Sequence, residues 1–305
     1  MLPKRIERNL SHQIPNDPLA EMIAALDLKS TANSASLEDT FIGQSQWMPH
    51  GRVFGGQVLA QSLVAATRTI EERDVHSMHG YFLRPGNIDL PVTFSVDRLR
   101  DGRSFSTRRV QAFQDDLPIF SMIASFQEHD PGLEHQDDFP RGIPDPESLP
   151  SAADLIGDNP HPVAQYWAKA RPFDMRHVES AIYFNVEGKP VAHQAVWLRA
   201  LGALPDDQQL HTAALAYASD YSILESIYRR HGIAWSHPGL KSASLDHAMW
   251  FHRPARVDQW LLYAQESPTA QGGRGLAMGR IFNSRGELLA TVAQEGMVRV
   301  PEIRK

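Results

Sequence analysis

The sequence predicts an α+β protein of two similar tandem modules, each a curved antiparallel sheet wrapped around a central helix. Segments in which apolar residues alternate with a period of two accompany one long helical pattern in each half of the chain. Both helical patterns carry small residues on several faces, which is typical of a helix enclosed on most sides. Motifs also recur between the two halves, which indicates that the modules are similar.

Two pairs of motifs recur: HGYFLRP with HAMWFHRP, and SMIASFQE with LATVAQE. The first pair matches Arg84 with Arg253, and the second matches Gln127 with Gln294. The separation along the chain is nearly the same for both matches, so the two pairs agree closely. A single repeat of this length predicts two modules, because a solenoid would need more copies at a shorter period.

The first module, with its N-terminal helix, is expected to occupy residues 1–130. The N-terminal helix is predicted at 17–28, where an Asp-Pro pair suits a helix start. The central helix is predicted within 51–70, where apolar residues recur at helical spacing. Strands are expected from 75 to 127, and the Asp-Gly pair in RDGR (100–103) predicts a hairpin turn between two of them.

Residues 131–185 are expected to form a long connection over the surface, because prolines and acidic residues interrupt them throughout. One short helix is predicted in this connection at 164–170. The second module, which is expected to carry the catalytic residues, is predicted at 186–305. Its central helix falls within 206–232, and NSRGE (283–287) predicts a hairpin turn between its last two strands.

Composition and charge exclude several classes of function. The 305 residues are 42% hydrophobic and 22% charged with a net charge of −6, so no nucleic-acid partner is expected. No apolar run reaches the roughly 18–20 residues of a membrane span, and the charged N-terminus is unlike a secretory signal. The chain has no cysteine, which excludes disulfides and thiolate metal sites. We expect a cytoplasmic protein.

The stretch SLDHAMWFHRP concentrates polar side chains, yet it fits neither a metal site nor a catalytic triad. His247 and His252 are five residues apart, so a strand would direct them to opposite faces. Ser244, Asp246 and His247 are too close in sequence to align as a triad, and the chain has no G-x-S-x-G motif. We therefore expect no metal, and we expect His247 to be a hydrogen-bonded structural residue.

Three other features could support chemistry. The two glycines of FGGQ precede a helical pattern, so N–H groups near Gly55 and Gly56 could face an anion or a carbonyl oxygen. Asp220 lies among apolar and small residues, where an unpaired carboxylate costs on the order of several kcal/mol. It therefore either caps a break in the helix or serves a function. Gln294 ends an apolar strand pattern, where an isolated amide indicates a hydrogen-bonded site.

Eight segments occur in the order expected of one protein family: VFGGQVLAQSL, VHSMHGYFLRPG, LRDGRSFSTRRVQA, PIFSMIASFQ, LAYASD, LDHAMWFHRP, WLLYAQES and TVAQEG. On these segments the chain resembles the acyl-CoA thioesterase II family, the double hot-dog thioesterases, from about residue 41 to 300. The resemblance implies two hot-dog modules in one chain, each a curved antiparallel sheet around a central helix.

The resemblance also implies a catalytic centre in which an Asp, a Thr or Ser, and a Gln hold the attacking water. The matching residues are Asp220 in LAYASD, Ser244 two residues before the Asp of LDHAMWFHRP, and Gln294 in TVAQEG. Serine stands where the family often has threonine, which keeps the hydroxyl. The implied reaction converts fatty acyl-CoA to free fatty acid and coenzyme A without a cofactor, in a homodimer or homotetramer.

Substrate contacts are expected from three residues. Gly55 and Gly56 are the expected donors to the oxyanion, and His79 is the third expected contact. The first half offers Gly56 and Gln57 where the second half offers Asp220, so we expect one hydrolytic centre per chain.

Two alternatives to the thioesterase remain open. A hot-dog acyl-thioester dehydratase or hydratase would need a catalytic histidine with a carboxylate, and His76 and His79 are the nearby candidates. A non-catalytic acyl-CoA binding protein could use the same fold.

Overall fold

The computed structural model describes residues 14–31 and 39–301. Parts of the predicted modules that fall on 1–13, 32–38 and 302–305 lie outside the described residues. The described chain is a large antiparallel sheet with a few helices, which confirms the α+β class.

The first module contains two helices and six strands. These are α1 (Pro18–Leu26), β1 (Lys29–Ser30), β2 (Asp39–Gly43), α2 (Gly55–Thr67), β3 (Asp74–Phe82), β4 (Val92–Asp101), β5 (Phe105–Gln114) and β6 (Leu117–Gln127). Ten of the thirteen residues of α2 are buried, so this helix is enclosed on almost every side, as its small residues predict. Asp17 caps α1 by accepting a hydrogen bond of 2.9 Å from the N–H of Ala20.

The segment between the modules differs from the surface connection that its prolines predict. It forms a 3₁₀ turn (Pro146–Ser148), α3 (Ala152–Ile156), α4 (Pro162–Gln165), a π-helical turn (Tyr166–Ala170) and β7 (Phe173–His177). The short helix predicted at 164–170 corresponds to α4 and the π-helical turn. Strand β7 pairs with the second module and buries Phe173, Met175 and His177. Strand β7, in the last part of this segment, therefore belongs to the core.

The second module repeats the pattern of the first with one difference. Its elements are β8 (His193–Ala200), α5 (Gln208–Ser219), α6 (Glu225–Arg230), β9 (Lys241–Ser244), β10 (Asp246–Phe251), β11 (Leu261–Gln271), β12 (Arg274–Asn283) and β13 (Leu288–Arg299). The single helix predicted within 206–232 is two helices, because the chain turns at 220–224. Asp220 is the C-cap of α5 and lies at this break.

All strands join one antiparallel sheet in the order β1-β2-β4-β5-β6-β3-β10-β13-β12-β11-β8-β7, with β9 paired to β13. The two modules meet at β3 and β10, where Met78 lies opposite Met249. The sheet therefore runs through both modules without an edge between them.

Hydrogen bonds at the ends of β3 and β10 set the register of the repeat. The N–H groups of Leu83 and Arg84 both donate to the carbonyl of Ile119, and those of His252 and Arg253 both donate to the carbonyl of Leu289. The two arginines that the motifs match therefore occupy equivalent positions in the two modules.

The same equivalence changes which residue of the first module corresponds to the predicted catalytic glutamine, Gln294. Ile119 and Leu289 are equivalent, and Ala124 follows Ile119 at the same spacing as Gln294 follows Leu289. The counterpart of Gln294 in the first module is therefore Ala124. The motif comparison paired Gln127 with Gln294. In the strand register, Gln127 is instead equivalent to a position three residues after Gln294 in β13. The two motifs were paired wrongly because the Gln-Glu pair that they share does not occupy the same register position in β6 and β13.

The two central helices pack in antiparallel fashion, with the first turn of α2 against the last turn of α5. A Cβ on Gly56 would lie 2.3 Å from the carbonyl oxygen of Tyr217, so the backbones touch at this point. The N-terminus of one module's helix is thus placed beside Asp220 of the other module.

Candidate active site

Asp220 lies between the two modules. Its carboxylate accepts a hydrogen bond from the backbone N–H of Gly56. A Cβ on Gly55 would lie 2.6 Å from Asp220 Oδ2. Glycine is therefore required at the start of α2, because any side chain there would displace the carboxylate.

Ser244 and Gln294 reach the same carboxylate from neighbouring strands. Ser244 Oγ, at the end of β9, donates to Asp220 Oδ1 over 3.2 Å. Gln294 Nε2, on the inward face of β13, donates to Ser244 Oγ over 2.9 Å. The three residues that the resemblance singles out, Asp220, Ser244 and Gln294, thus form one connected group although they are distant in sequence.

His247 holds the amide of Gln294. Its Nδ1 contacts Gln294 Oε1, and its Nε2 lies 3.0 Å from Ser219 Oγ. Burial lowers the pKa of His247 to about 4, against the opposing hydrogen bond with Gln294, so the ring is neutral at pH 7. Because Gln294 Oε1 can only accept, Nδ1 carries the proton. The hydroxyl of Ser219, which faces Nε2, also donates to the carbonyl oxygen of Ala216 over 2.8 Å. His247 is thus a buried, hydrogen-bonded residue.

These bonds form a chain with a single direction. His247 donates to Gln294, Gln294 to Ser244, and Ser244 to Asp220. Every donor points toward the carboxylate, so the network stabilises its charged form.

Burial nevertheless dominates the titration of Asp220. It raises the pKa to about 6, while hydrogen bonds from Gln294, Ser244 and the N–H of Gly56 oppose the rise. The residue remains partly accessible to solvent. At neutral pH it is therefore an ionised carboxylate, more basic than usual, that a water molecule can reach.

The structure does not bring His79 into this group. His79 is exposed on the face of β3 opposite to that of the buried residues Met78 and Gly80, and its ring packs at 5.0 Å against the ring of Trp250. The expected substrate contact is not supported, because strand alternation directs His79 away from Asp220. His76 bonds to Ser125 Oγ at 2.9 Å, likewise outside the group.

Sequence reasoning missed the two neighbours of Asp220. Ser219 Oγ contacts Nε2 of His247, and the ring of Tyr221 stacks on Phe54 with centroids 4.6 Å apart. The available signal was the run ASDYS, which is polar within an otherwise apolar helical pattern. Within the described ranges, no group of three or more His, Cys, Asp or Glu side chains is placed to hold a metal ion.

Two family models match the chain. The model described as acyl-CoA thioesterase matches residues 168–297, and the model described as acyl-CoA thioesterase N-terminal domain matches residues 44–127. The chain is 40% identical over 276 residues to acyl-coenzyme A thioesterase 8 of Homo sapiens, which covers 86% of this chain and 85% of that protein.

Solved structures agree with the observed architecture. An acyl-CoA thioesterase II, TesB2, from Mycobacterium marinum superposes with a TM-score of 0.73 at 40% identity, covering 93% of this chain and 98% of that one. A protein with a hot-dog fold from Alicyclobacillus acidocaldarius superposes with a TM-score of 0.75 over 92% of this chain and 98% of that one. At 19% identity the second likeness concerns the fold alone.

Proposed function

This chain belongs to the acyl-CoA thioesterase family, and we propose that it hydrolyses fatty acyl-CoA to free fatty acid and coenzyme A through a water activated by Asp220, Ser244 and Gln294. The observation that carries the mechanism is the directed chain of donors that ends on a half-buried, ionised carboxylate. The fold of two tandem hot-dog modules agrees with this assignment.

Asp220 serves as the general base. It accepts a proton from the water as the water attacks the thioester carbonyl carbon, and a pKa of about 6 keeps it ionised yet more basic than an exposed aspartate. Collapse of the tetrahedral intermediate expels the coenzyme A thiolate, which takes up the proton from Asp220. Ser244 and Gln294 fix the position of the base and of its water.

The oxyanion requires a donor at the start of α2. The N–H of Gly56 is engaged by Asp220, so Gly56 holds the base. We assign the oxyanion to the neighbouring N–H of Gly55, which lies at the positive end of the helix dipole. Gly55 and Gly56, which the sequence analysis treated as a pair, therefore have different roles.

Nucleophilic attack by Ser244 itself is disfavoured by the geometry. Its hydroxyl donates to Asp220 and accepts from Gln294. His247, the histidine of the donor chain, contacts the glutamine instead of the serine. A triad serine has a histidine as its base, and the histidine of this site does not bond to Ser244.

A dehydratase or hydratase is not favoured by any contact. Such chemistry needs a catalytic histidine facing the substrate, whereas His247 is held neutral behind Gln294 and His79 faces outward. A non-catalytic acyl-CoA binding protein is also disfavoured, because it would have no use for a carboxylate buried at a cost in stability.

A homodimer or homotetramer remains a proposal, and the outer face of the sheet supports it. A row of apolar side chains crosses the central strands there, including Tyr81 (64% exposed), Ile123 (46%) and Met278 (39%). Exposed apolar surface of this kind is typical of a protein interface. Sedimentation analysis would show the oligomer directly. No described helix is long and apolar enough to cross a membrane, and the cytoplasmic location stays a prediction.

The reaction is tested by measuring thiol release from octanoyl-CoA and palmitoyl-CoA. The wild-type protein should release free thiol, and Asp220→Asn should lower kcat by about 10²–10⁴-fold while keeping the fold. Absence of thiol release from both substrates by folded wild-type protein would refute the proposal. Wild-type rates in a folded Asp220→Asn variant would refute the role of Asp220.

A further inference from the structure

A cavity of about 670 Å³ lies at the end of the two central helices that is remote from Asp220. It is bounded by the last turn of α2 and the first turns of α5, together with the ends of α1, β3, β6 and β10. Its volume falls within the roughly 300–1,000 Å³ that is common for pockets that bind small molecules. The proposed mechanism does not use this cavity.

The internal repeat makes the cavity the counterpart of the active site. Arg68 is the C-cap of α2, as Asp220 is the C-cap of α5. Gln208 is the first residue of α5, as Gly55 is the first residue of α2. Arg68 and Gln208 both line the cavity, so the two central helices contribute equivalent ends to the cavity and to the active site.

The serine of the active site is replaced by an apolar residue in the cavity. The register that equates Arg84 with Arg253 places Val75 at the position of Ser244. Val75 lines the cavity, and its side chain offers no hydroxyl.

The carboxylate base of the active site is replaced by a cation. Arg68 stands at the position of Asp220 and forms an ion pair with Asp27 at 2.8 Å. The counterpart of Gln294 is Ala124. The cavity therefore lacks the base, the hydroxyl and the amide of the active site, and a ligand can bind there without being hydrolysed.

The lining of the cavity combines an apolar wall with a further arginine. The apolar wall is formed by Ile23, Leu26, Leu63, Val64, Leu210 and Ala213. Arg253 also lines the cavity, is half-buried, and donates from Nη1 to the carbonyl of Leu288 over 2.8 Å. The other guanidinium nitrogens of Arg253 have no hydrogen-bond acceptor among the described residues.

Glu287 lies near Arg253 but has partners of its own. It forms an ion pair with Arg285 at 2.7 Å and accepts a hydrogen bond from Asn283. The pKa of Glu287 is lowered by the hydrogen bonds from Asn283 and Arg285 and, to a smaller extent, by the charge of Arg253. Arg253 therefore has N–H groups and a positive charge available to a ligand in the cavity.

The charges of the lining select a ligand with one carboxylate. Asp74 and Asp130 also line the cavity and are exposed, so they would repel the several negative charges of coenzyme A. A single carboxylate can bind Arg253 while its alkyl chain packs on the apolar wall. We propose that the cavity is a second, non-catalytic site that binds a free fatty acid. That this ligand is also the product of the enzyme rests on the proposed thioesterase function.

Dodecanoate and dodecanol test the inference, because both carry a chain of twelve carbons and only the first carries a carboxylate. Isothermal titration of the wild-type protein should show that dodecanoate binds more tightly than dodecanol. Arg253→Met should lower the ratio of the two affinities by about tenfold, because a charged hydrogen-bonded contact is lost.

The active site is the competing location for dodecanoate, and Arg84 provides the matched control. Its Nη1 donates to the carbonyl of Pro118 over 2.7 Å, which is the contact that Arg253 makes in the second module. Arg84 follows Phe82, whose ring would lie 3.2 Å from a Cβ on Gly55, so it belongs to the active-site end of the molecule. Arg84→Met should leave the ratio of the two affinities unchanged.

A second variant tests the cavity without changing a charge, and it decides the question if Arg253→Met does not fold. Val64 is half-buried and lines the cavity, so Val64→Trp should fill part of the space. The affinity for dodecanoate should fall about tenfold or more. The kcat/KM for octanoyl-CoA should stay within about twofold of the wild-type value, because Val64 lies at the far end of α2 from Gly55.

The outcomes are distinguishable. Absence of dodecanoate binding to the folded wild-type protein overturns the inference and leaves the thioesterase intact, as does a fall of the affinity ratio in Arg84→Met without one in Arg253→Met. Loss of octanoyl-CoA hydrolysis in folded Val64→Trp would assign the cavity to the substrate site and also overturn the inference. Dodecanoate binding that responds to Arg253→Met, without thiol release from any acyl-CoA, would support the site and refute the proposed function.

Discussion

Ser244 Oγ donates a hydrogen bond of 3.2 Å to Asp220 Oδ1, although 24 residues separate the two in the chain. The same oxygen accepts from Gln294, so the hydroxyl is held at a fixed angle. The other carboxylate oxygen, Asp220 Oδ2, lies on the side of Gly55 at the start of α2.

Removing the hydroxyl should impair catalysis more than stability. Ser244→Ala deletes a hydrogen bond to a charged group, which is worth roughly 1.5–3 kcal/mol, so kcat should fall about 10–100-fold. Ser244→Thr keeps the hydroxyl and should retain most of the activity. Steady-state kinetics of both variants check this, and equal activity of the alanine and wild-type proteins would contradict it.

The activity should depend on the charge of Asp220. Since its pKa is raised to about 6, kcat/KM should increase from pH 5 to pH 7 with a midpoint near 6 and then level off. A pH–rate profile with octanoyl-CoA measures this directly. A midpoint near 4 would show that Asp220 is not desolvated in the free enzyme.

The same carboxylate should lower stability at neutral pH. The folded state releases the proton of Asp220 near pH 6 and the unfolded state near pH 3.9, so the free energy of unfolding falls as the pH rises between these values. Asp220→Asn removes this loss of stability, because asparagine does not ionise. Its Tm should exceed that of the wild type by about 2–6 °C at pH 8 and match it near pH 4, as calorimetry can show.

His247 acts as a positioning residue through Gln294. His247→Leu leaves Gln294 Oε1 without its partner, which should cost about 1–3 kcal/mol of stability and lower kcat with little change in KM. His252→Leu is the matched control from the same motif, because His252 bonds only to Thr291 Oγ1. Similar losses of kcat in both variants would argue against a specific role for His247.

His247 should also contribute to acid sensitivity. Its pKa in the folded state is lowered to about 4, whereas an unfolded histidine titrates near 6.5, so protonation of the unfolded state lowers stability as the pH falls through this window. The slope of the free energy of unfolding against pH between pH 4 and pH 6.5, to which Asp220 contributes with the opposite sign, should become less positive in His247→Leu. Denaturant unfolding at several pH values measures the slope.

The two glycines of α2 should tolerate no side chain. Gly56→Ala would force the module backbones apart, since its Cβ lies 2.3 Å from a carbonyl oxygen. Gly55→Ala would push the carboxylate of Asp220 aside and should lower kcat by about tenfold or more. Gly132→Ala, where a Cβ meets no atom within 4 Å, should behave like the wild type. Normal activity of Gly55→Ala would contradict the proposed geometry.

The helices and strands of regular period could be predicted from the sequence, because burial imposes the period. The sequence left the break at Asp220 as one of two alternatives, since Tyr221, Ile223 and Leu224 continue the apolar pattern across it. Strand β7 could not be predicted, because it directly follows Pro172 in a proline-rich segment and only its pairing with β8 reveals it. Local composition does not show which edge of a sheet a segment will join.

The candidate site divides in the same way. Asp220, Ser244 and Gln294 could be named from family motifs, whereas their order of donation required the position of His247. His79 was misleading, because a motif does not show which face of a strand is buried.

The ladder between β3 and β10 has a consequence for how the molecule comes apart. Residues of β3 and β10 pair across the junction in unbroken antiparallel register from Asp246–Tyr81 to Trp250–Ser77. The two halves are thus one cooperative structure, and a cut in the chain between them would not free two independent domains. Amide protons of Met78 and Met249 should exchange with solvent as slowly as those in the middle of either half.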